Sequence, residues 1–158
     1  QLGNTTIKES LVKIPFKGSF DPRHYADKTV RQALSFNYIF TRKFINYSLS
    51  YHLNSVEVRY AFQGTQCKAG QQFYIFDFSV DNPNGGDVTP GPAYTYARLA
   101  INGYNQYPLA STLPETIKGN ARGVKGQIVF SGPANMHALD LVFLKQYLSV
   151  QYSYEVHV

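Results

Sequence analysis

The sequence predicts an all-β fold, an antiparallel β-sandwich of immunoglobulin-like or jelly-roll type with little helix. Three observations predict it. Short segments alternate apolar and polar residues with period two, the signature of a strand with one buried face. Clusters of Gly, Pro and Asn punctuate these segments roughly every 8–12 residues, as in sandwiches and barrels. The composition agrees: 15% aromatic residues, from 13 Tyr and 11 Phe with no Trp, and only 16% charged residues against a usual ~25%. A length of 158 residues fits one domain, 1–158, large enough to bury a core without disulfides or metal.

The elements follow in chain order. Ile7 to Phe16 (IKESLVKIPF) contains Pro15 and is followed by Gly18, so it reads as an edge strand or an extended N-terminal arm within residues 1–16. Residues 17–28 are a polar loop. Residues 29–40 place Val30, Gln32, Leu34, Phe36, Tyr38 and Phe40 on one parity, and 44–53 continue with Phe44, Ile45, Tyr47, Leu49, Tyr51 and Leu53; each reads as a strand. Val56, Val58, Tyr60 and Phe62 alternate with Glu57, Arg59 and Ala61, which predicts another. Residues 72–82 (QFYIFDFSVDN) are dense in aromatic and β-branched types and end at Pro83-Asn84-Gly85-Gly86, a core strand with its exit turn. Residues 94–101 run into Asn102-Gly103 and then Tyr104 to Tyr107, the chemistry of a type I′ hairpin. Residues 124–130 stop at Ser131-Gly132-Pro133, and 139–144 form a short apolar run. The last strand is the clearest: Leu148, Val150, Tyr152, Tyr154 and Val156 alternate with polar neighbours.

The net charge of +5 sits in one half of the chain. Residues 1–69 hold ten Lys/Arg against four Asp/Glu, and residues 70–158 five against six. The excess is scattered with no run longer than Arg42-Lys43, unlike the clustered stripe of a phosphate-binding face, so a solvated basic surface is expected and no nucleic-acid partner. No stretch approaches the ~18 apolar residues of a membrane span. The chain begins at Gln1 and carries two sequons, Asn4-Thr5-Thr6 and Asn46-Tyr47-Ser48, with one cysteine, Cys67. The expectation is an extracellular or cell-surface protein whose targeting segment has been removed. Cys67 reads as a buried thiol, with an intermolecular bridge as the alternative.

Catalytic signatures are absent from the linear sequence: no G-x-S-x-G, no Walker loop, no H-E-x-x-H and no C-x-x-C. His24, His52, His137 and His157 are spread apart. No enzyme, cofactor or metal centre is expected. Asp77, Asp81 and Asp87, with Asn82 and Asn84, surround a Gly-rich turn; the needs of the turn backbone are preferred over a Ca²⁺ site as their explanation. Phe side chains are assigned to the core. Tyr94, Tyr96, Tyr104, Tyr107, Tyr147, Tyr152 and Tyr154 are candidates for a rim or a subunit contact, since Tyr keeps a wet hydroxyl.

Four segments in order, GQQFYIFDFSVDNP (70–83), ARLAINGYNQY (97–107), VKGQIVFSGP (124–133) and ALDLVFL (138–144), carry a resemblance. Residues 70–144 resemble a family of secreted bacterial immunoglobulin-like domains of unknown function, of the immunoprotective extracellular antigen type. The resemblance implies a secreted β-sandwich and supplies no catalytic residues.

The functional expectation is association, with other copies of the chain or with a surface protein, as a subunit of a coat, filament or adhesin. Ile7, Leu11, Ile14 and Phe16 of the N-terminal segment would add a strand to a neighbour's open sheet edge, and Tyr152 and Tyr154 are further interface candidates. The alternative is a carbohydrate-binding module that uses exposed Tyr, Asn and Asp against polysaccharide.

Overall fold

The structure is a computed structural model that describes residues 25–145 and 151–158. The N-terminal candidates Ile7, Leu11, Ile14 and Phe16, together with Asn4 and Tyr147, lie outside the described residues. The described strands are β1 (Lys28–Arg42), β2 (Ile45–Arg59), β3 (Ala61–Phe62), β4 (Thr65–Gln66), β5 (Gln71–Asp81), β6 (Ala97–Ile101), β7 (Tyr104–Gln106), β8 (Ala110–Ser111), β9 (Val124–Pro133), β10 (Ala138–Leu144) and β11 (Gln151–His157). The one helical piece among them is a 3-10 turn at Ala93–Thr95.

These strands form an antiparallel β-sandwich. Sheet A has the order β1-β2-β5-β9-β8, sheet B the order β11-β10-β6-β7, and β3 pairs with β4 alone. The inward parity of both sheets makes one core. Tyr51, Leu53, Val56, Phe76, Phe78 and Phe130 come from sheet A, and Leu99, Leu141 and Phe143 from sheet B, all fully buried. Phe143 is the hub, with Phe36, Tyr38, Tyr51 and Tyr96 around it at ring centroid distances of 5.0 to 5.3 Å, most of them edge-on. Edge-on rings add ~0.5–1.5 kcal/mol per pair beyond their buried area.

Two predicted strands, 44–53 and the run from Val56, are one strand with a bulge. Along β2 the buried residues are Leu49, Tyr51 and Leu53, then Val56 and Val58. The parity change occurs at Asn54, where β2 has one residue more than β5 between Leu53↔Phe78 and Ser55↔Asp77. β1 adds a further residue between Arg31 and Leu34, so the stagger grows outwards from β5. Such bulges bend and twist a sheet while keeping its inward face apolar.

The turns divide by chemistry. Asn102 (φ 51°) and Gly103 (φ 84°) adopt the expected left-handed pair between β6 and β7. Lys43 (φ 49°) and Phe44 (φ 66°) do the same between β1 and β2 without either residue suited to it. β9 runs on through Ser131-Gly132-Pro133 rather than stopping there. A Cβ on Gly132 would stand 2.9 Å from Ile101 Cδ1, so glycine leaves room for the end of that side chain. The Ala134 N–H bonds to Gly70 on the β5 side, so Pro133's ring nitrogen faces the other way and costs no ladder bond.

On the outer face of sheet A, Phe73, Ile75 and Val129 form a small second cluster covered by Phe62 and Cys67. Cys67 is a half-buried free thiol, and burial pushes its pKa up.

Candidate functional surfaces

The outer face of β1, β2 and β5 carries a hydrogen-bonded line that no linear motif announces. His52 stands opposite Ser35 in the register and diagonal to Asp81, within reach of both. His52 Nε2 lies 3.1 Å from Asp81 Oδ2, and its Nδ1 2.8 Å from Ser35 Oγ. In the neutral ring the carboxylate fixes the proton on Nε2, and Ser35 donates to Nδ1. The other Asp81 oxygen accepts the Gly123 N–H at 2.7 Å. That bond is the main reason the Asp81 carboxyl sits below its ordinary value, with His52 and Arg122 contributing.

The three residue types are those of nucleophilic hydrolases. Catalysis of that kind also needs donors aimed at the developing oxyanion and a cleft to hold the acyl group. Ser35 is exposed, and among the described residues its strand β1 pairs with β2 alone. The line acts as a cross-strand tie holding β1, β2 and β5 in register.

Beside it, Asp77 accepts Ser55 Oγ at 2.9 Å and Gln127 Nε2 at 2.6 Å. A hydrogen bond to Asp77, then burial and Asp77's like charge, raise the Glu57 pKa against the opposing Arg59. An open groove of about 500 Å³ runs past Asn54, Asp77, Thr112, Lys125 and Gln127.

The acidic turn behaves as a turn. Asp81 is committed as above, and Asp87 accepts the Gly119 N–H. Buried Asn82 points its amide nitrogen at the carbonyls of Gly86, Ile117 and Lys118, while its oxygen accepts the Asn84 N–H. The carbonyl cage that would suit a cation is thus filled by an amide, and among the described residues no group of three or more His, Cys, Asp or Glu gathers.

The tyrosines divide by position. Tyr96 is buried, not at a rim: its hydroxyl meets Tyr51 at 3.3 Å, and desolvation pushes its pKa up to about 12. Tyr152 and Tyr154 are half-buried on the inward parity of β11. Tyr154 stacks on Phe36 at 4.0 Å. Tyr104 is exposed at one end of β7, beside the Asn102-Gly103 turn, and Tyr94, Tyr107 and Leu109 are exposed near the crossing from the other end of β7 to β8. There the buried Arg98 lies 3.7 Å over the Tyr107 ring and donates to the Tyr94 carbonyl. A hollow of about 250 Å³ opens between Pro92-Ala93-Tyr94 and Pro108-Leu109. The local signal was present in YTYARLAINGYNQYPL; the parity that buries Tyr96 depends on the 3-10 turn before β6.

The third surface is an edge. Among the described residues β1 pairs with β2 alone, leaving every second backbone N–H and C=O of a 15-residue strand facing outwards.

No family model matches this chain, and no curated protein matches it. One solved structure that matches is an uncharacterized beta-sandwich protein from Clostridium difficile 630, at 10% sequence identity and a TM-score of 0.46, covering 86% of this chain and 99% of that one. The chain is a β-sandwich protein.

Proposed function

We propose that the protein works by association with other copies of itself, a strand from one copy adding to the open edge of β1 in the next. The edge of β1, which has no second partner strand among the described residues, is the observation that supports this reading. From Gln32 to Thr41, ten consecutive residues contain neither a charge nor a proline, whereas sheets that remain solitary guard long edges with lysine, proline or a covering segment. The proposed donor is the segment Thr5 to Phe16, whose Ile7, Leu11, Ile14 and Phe16 supply side chains for an augmented strand while its backbone supplies the ladder. A surface coat, filament or adhesin of a secreted protein is the setting such a donor and acceptor fit.

The test is deletion of residues 1–16, read by light scattering and electron microscopy. The full chain assembles with increasing concentration; the shortened chain stays a folded monomer that takes up a synthetic peptide of residues 5–16. A full chain that remains monomeric, or a shortened chain that assembles equally well, overturns the proposal.

A second reading rests on exposed Tyr94 and Tyr107, joined through Arg98, with Tyr94 on the wall of the hollow. Flat rings at a rim suit stacking against sugar, so polysaccharide is the ligand. Binding on a glycan array that disappears in Tyr107→Ala supports this reading, and silence across neutral and acidic glycans removes it.

A further inference from the structure

The tip of the β1–β2 hairpin stands clear of the sheet. β5 accompanies β2 only from Ser50, which faces Asp81, so the last residues of β1 and the first of β2 form a two-stranded ribbon. Its base is tied down where Tyr38 Oη donates to the Leu144 carbonyl and Asn84 Nδ2 to the Ser48 carbonyl. Beyond the ties the ribbon turns apolar side chains to water. Phe44 is 101% exposed, Ile45 54% and Ile39 39%. Register places Ile39 opposite Ser48 on one face and Ile45 opposite Arg42 on the other, with Phe44 at the apex. The wedge is apolar on both sides.

Two further features point to what it meets. The turn holds Lys43 and Phe44 at positive φ, a conformation that Asn and Gly adopt easily and a bulky aromatic adopts rarely. A tip made only to reverse the chain in water is better served by Asn-Gly, which this chain uses at Asn102-Gly103. The charge is also one-sided. From Lys28 to Val56 there are four basic residues, Lys28, Arg31, Arg42 and Lys43, and no Asp or Glu. Two of the four, Arg42 and Lys43, immediately precede Phe44 in the sequence.

Aromatic and aliphatic side chains beside cations are what the headgroup layer of an anionic bilayer accommodates: rings enter the interface and cations meet phosphate. The turn's backbone groups stay hydrated at that depth, so no span is required. We propose that the β1–β2 tip docks on anionic lipid surfaces, with Phe44 and Ile45 entering the interfacial layer and Lys43 neutralising headgroups. This inference is independent of the strand-addition reading, which uses the edge of β1 and not its tip.

The chain has no Trp, so Phe44→Trp introduces a single reporter at the apex. Vesicles of phosphatidylcholine containing about a third phosphatidylserine are expected to shift its emission to the blue, with quenching by brominated lipid, while pure phosphatidylcholine leaves it unchanged. Lys43→Glu on that background lowers partitioning by about 25-fold, at ~5-fold for each unit of charge changed. Phe44→Ser in the otherwise unaltered chain lowers vesicle co-sedimentation by about 10-fold or more with an unchanged melting profile. Emission that ignores all vesicles overturns the proposal. A blue shift that grows with protein concentration in the absence of lipid also overturns it, because the tip then seats on a second copy.

Discussion

Replacing Phe36 and Tyr154 by Leu, singly and together, decides whether Tyr154 belongs to the fold or to a partner. The two rings stack at 4.0 Å with 16° between their planes, joining β1 at the edge of sheet A to β11 at the edge of sheet B. Phe36 also meets Phe143 edge-on at 5.0 Å, Phe78 edge-on at 6.5 Å and Tyr51 at 5.8 Å. A single aromatic contact is worth ~0.5–1.5 kcal/mol beyond buried area. Phe36→Leu therefore costs about 2–3 kcal/mol through several such contacts, and Tyr154→Leu about 1 kcal/mol, chiefly through one. The double variant costs less than the sum by about 0.5–1.5 kcal/mol, because the shared stack is removed once. Urea unfolding of the four proteins followed by circular dichroism measures this, with m unchanged across the set. A coupling below ~0.3 kcal/mol refutes the reasoning and returns Tyr154 to the interface role its alternating strand suggests. Burial, with Tyr152 contributing, raises the Tyr154 pKa, so Phe36→Leu also moves its ultraviolet titration midpoint down.

Two further substitutions probe sheet A. Gly126→Ala places a Cβ 2.6 Å from Leu113 Cδ2 and 2.7 Å from its Cα; backbone must move, and thermal unfolding should register a loss of about 1–3 kcal/mol, a neutral result contradicting the close approach. Glu57→Gln tests the hydrogen bond to Asp77. The raised Glu57 pKa means the folded state holds that proton more tightly, a stabilisation fully present below the ordinary carboxylate range and lost as pH rises through the raised value. Gln keeps a donor towards Asp77 at every pH. The variant is therefore expected to melt above the parent at neutral pH and together with it near the ordinary carboxyl value of 4.5; a lower melting temperature at neutral pH counts against the hydrogen bond to Asp77.

What the sequence made legible was local. The β5 strand, the alternation ending at Val156 and the Asn102-Gly103 turn are written in neighbouring residues, and period two or turn chemistry suffices to read them. The rest depends on partners far along the chain. Asn54's bulge looks from sequence like the end of one strand and the start of another, because a change of parity and a break are the same pattern until a neighbouring strand supplies register. Ser131-Gly132-Pro133 looks like a stop until Ile101 explains the glycine and the open side of β9 explains the proline. Ser35, His52 and Asp81 lie on three strands, so no spacing rule joins them. The basic excess was visible by counting; that Lys28, Arg31, Arg42 and Lys43 lie on one hairpin whose single acid, Glu57, sits opposite Thr29 at the end away from the tip became meaningful once that hairpin was seen to project.

The hairpin tip yields a prediction in which stability and docking move oppositely. The inward residues of β1 and β2 that reach the core lie between Leu34 and Tyr38 and between Tyr47 and Val58, so nothing in the core requires Lys43 or Phe44. Their left-handed conformations cost of order 1 kcal/mol each. Asn-Gly removes most of that cost and retains the type I′ geometry. The double substitution Lys43→Asn with Phe44→Gly is thus expected to raise stability by about 1 kcal/mol, or a few degrees in melting temperature, while abolishing binding to anionic vesicles. A turn that served the fold alone would show the gain without the loss. A tip whose conformation is held by contacts with the rest of the molecule would be destabilised, and the argument from its exposure would fail.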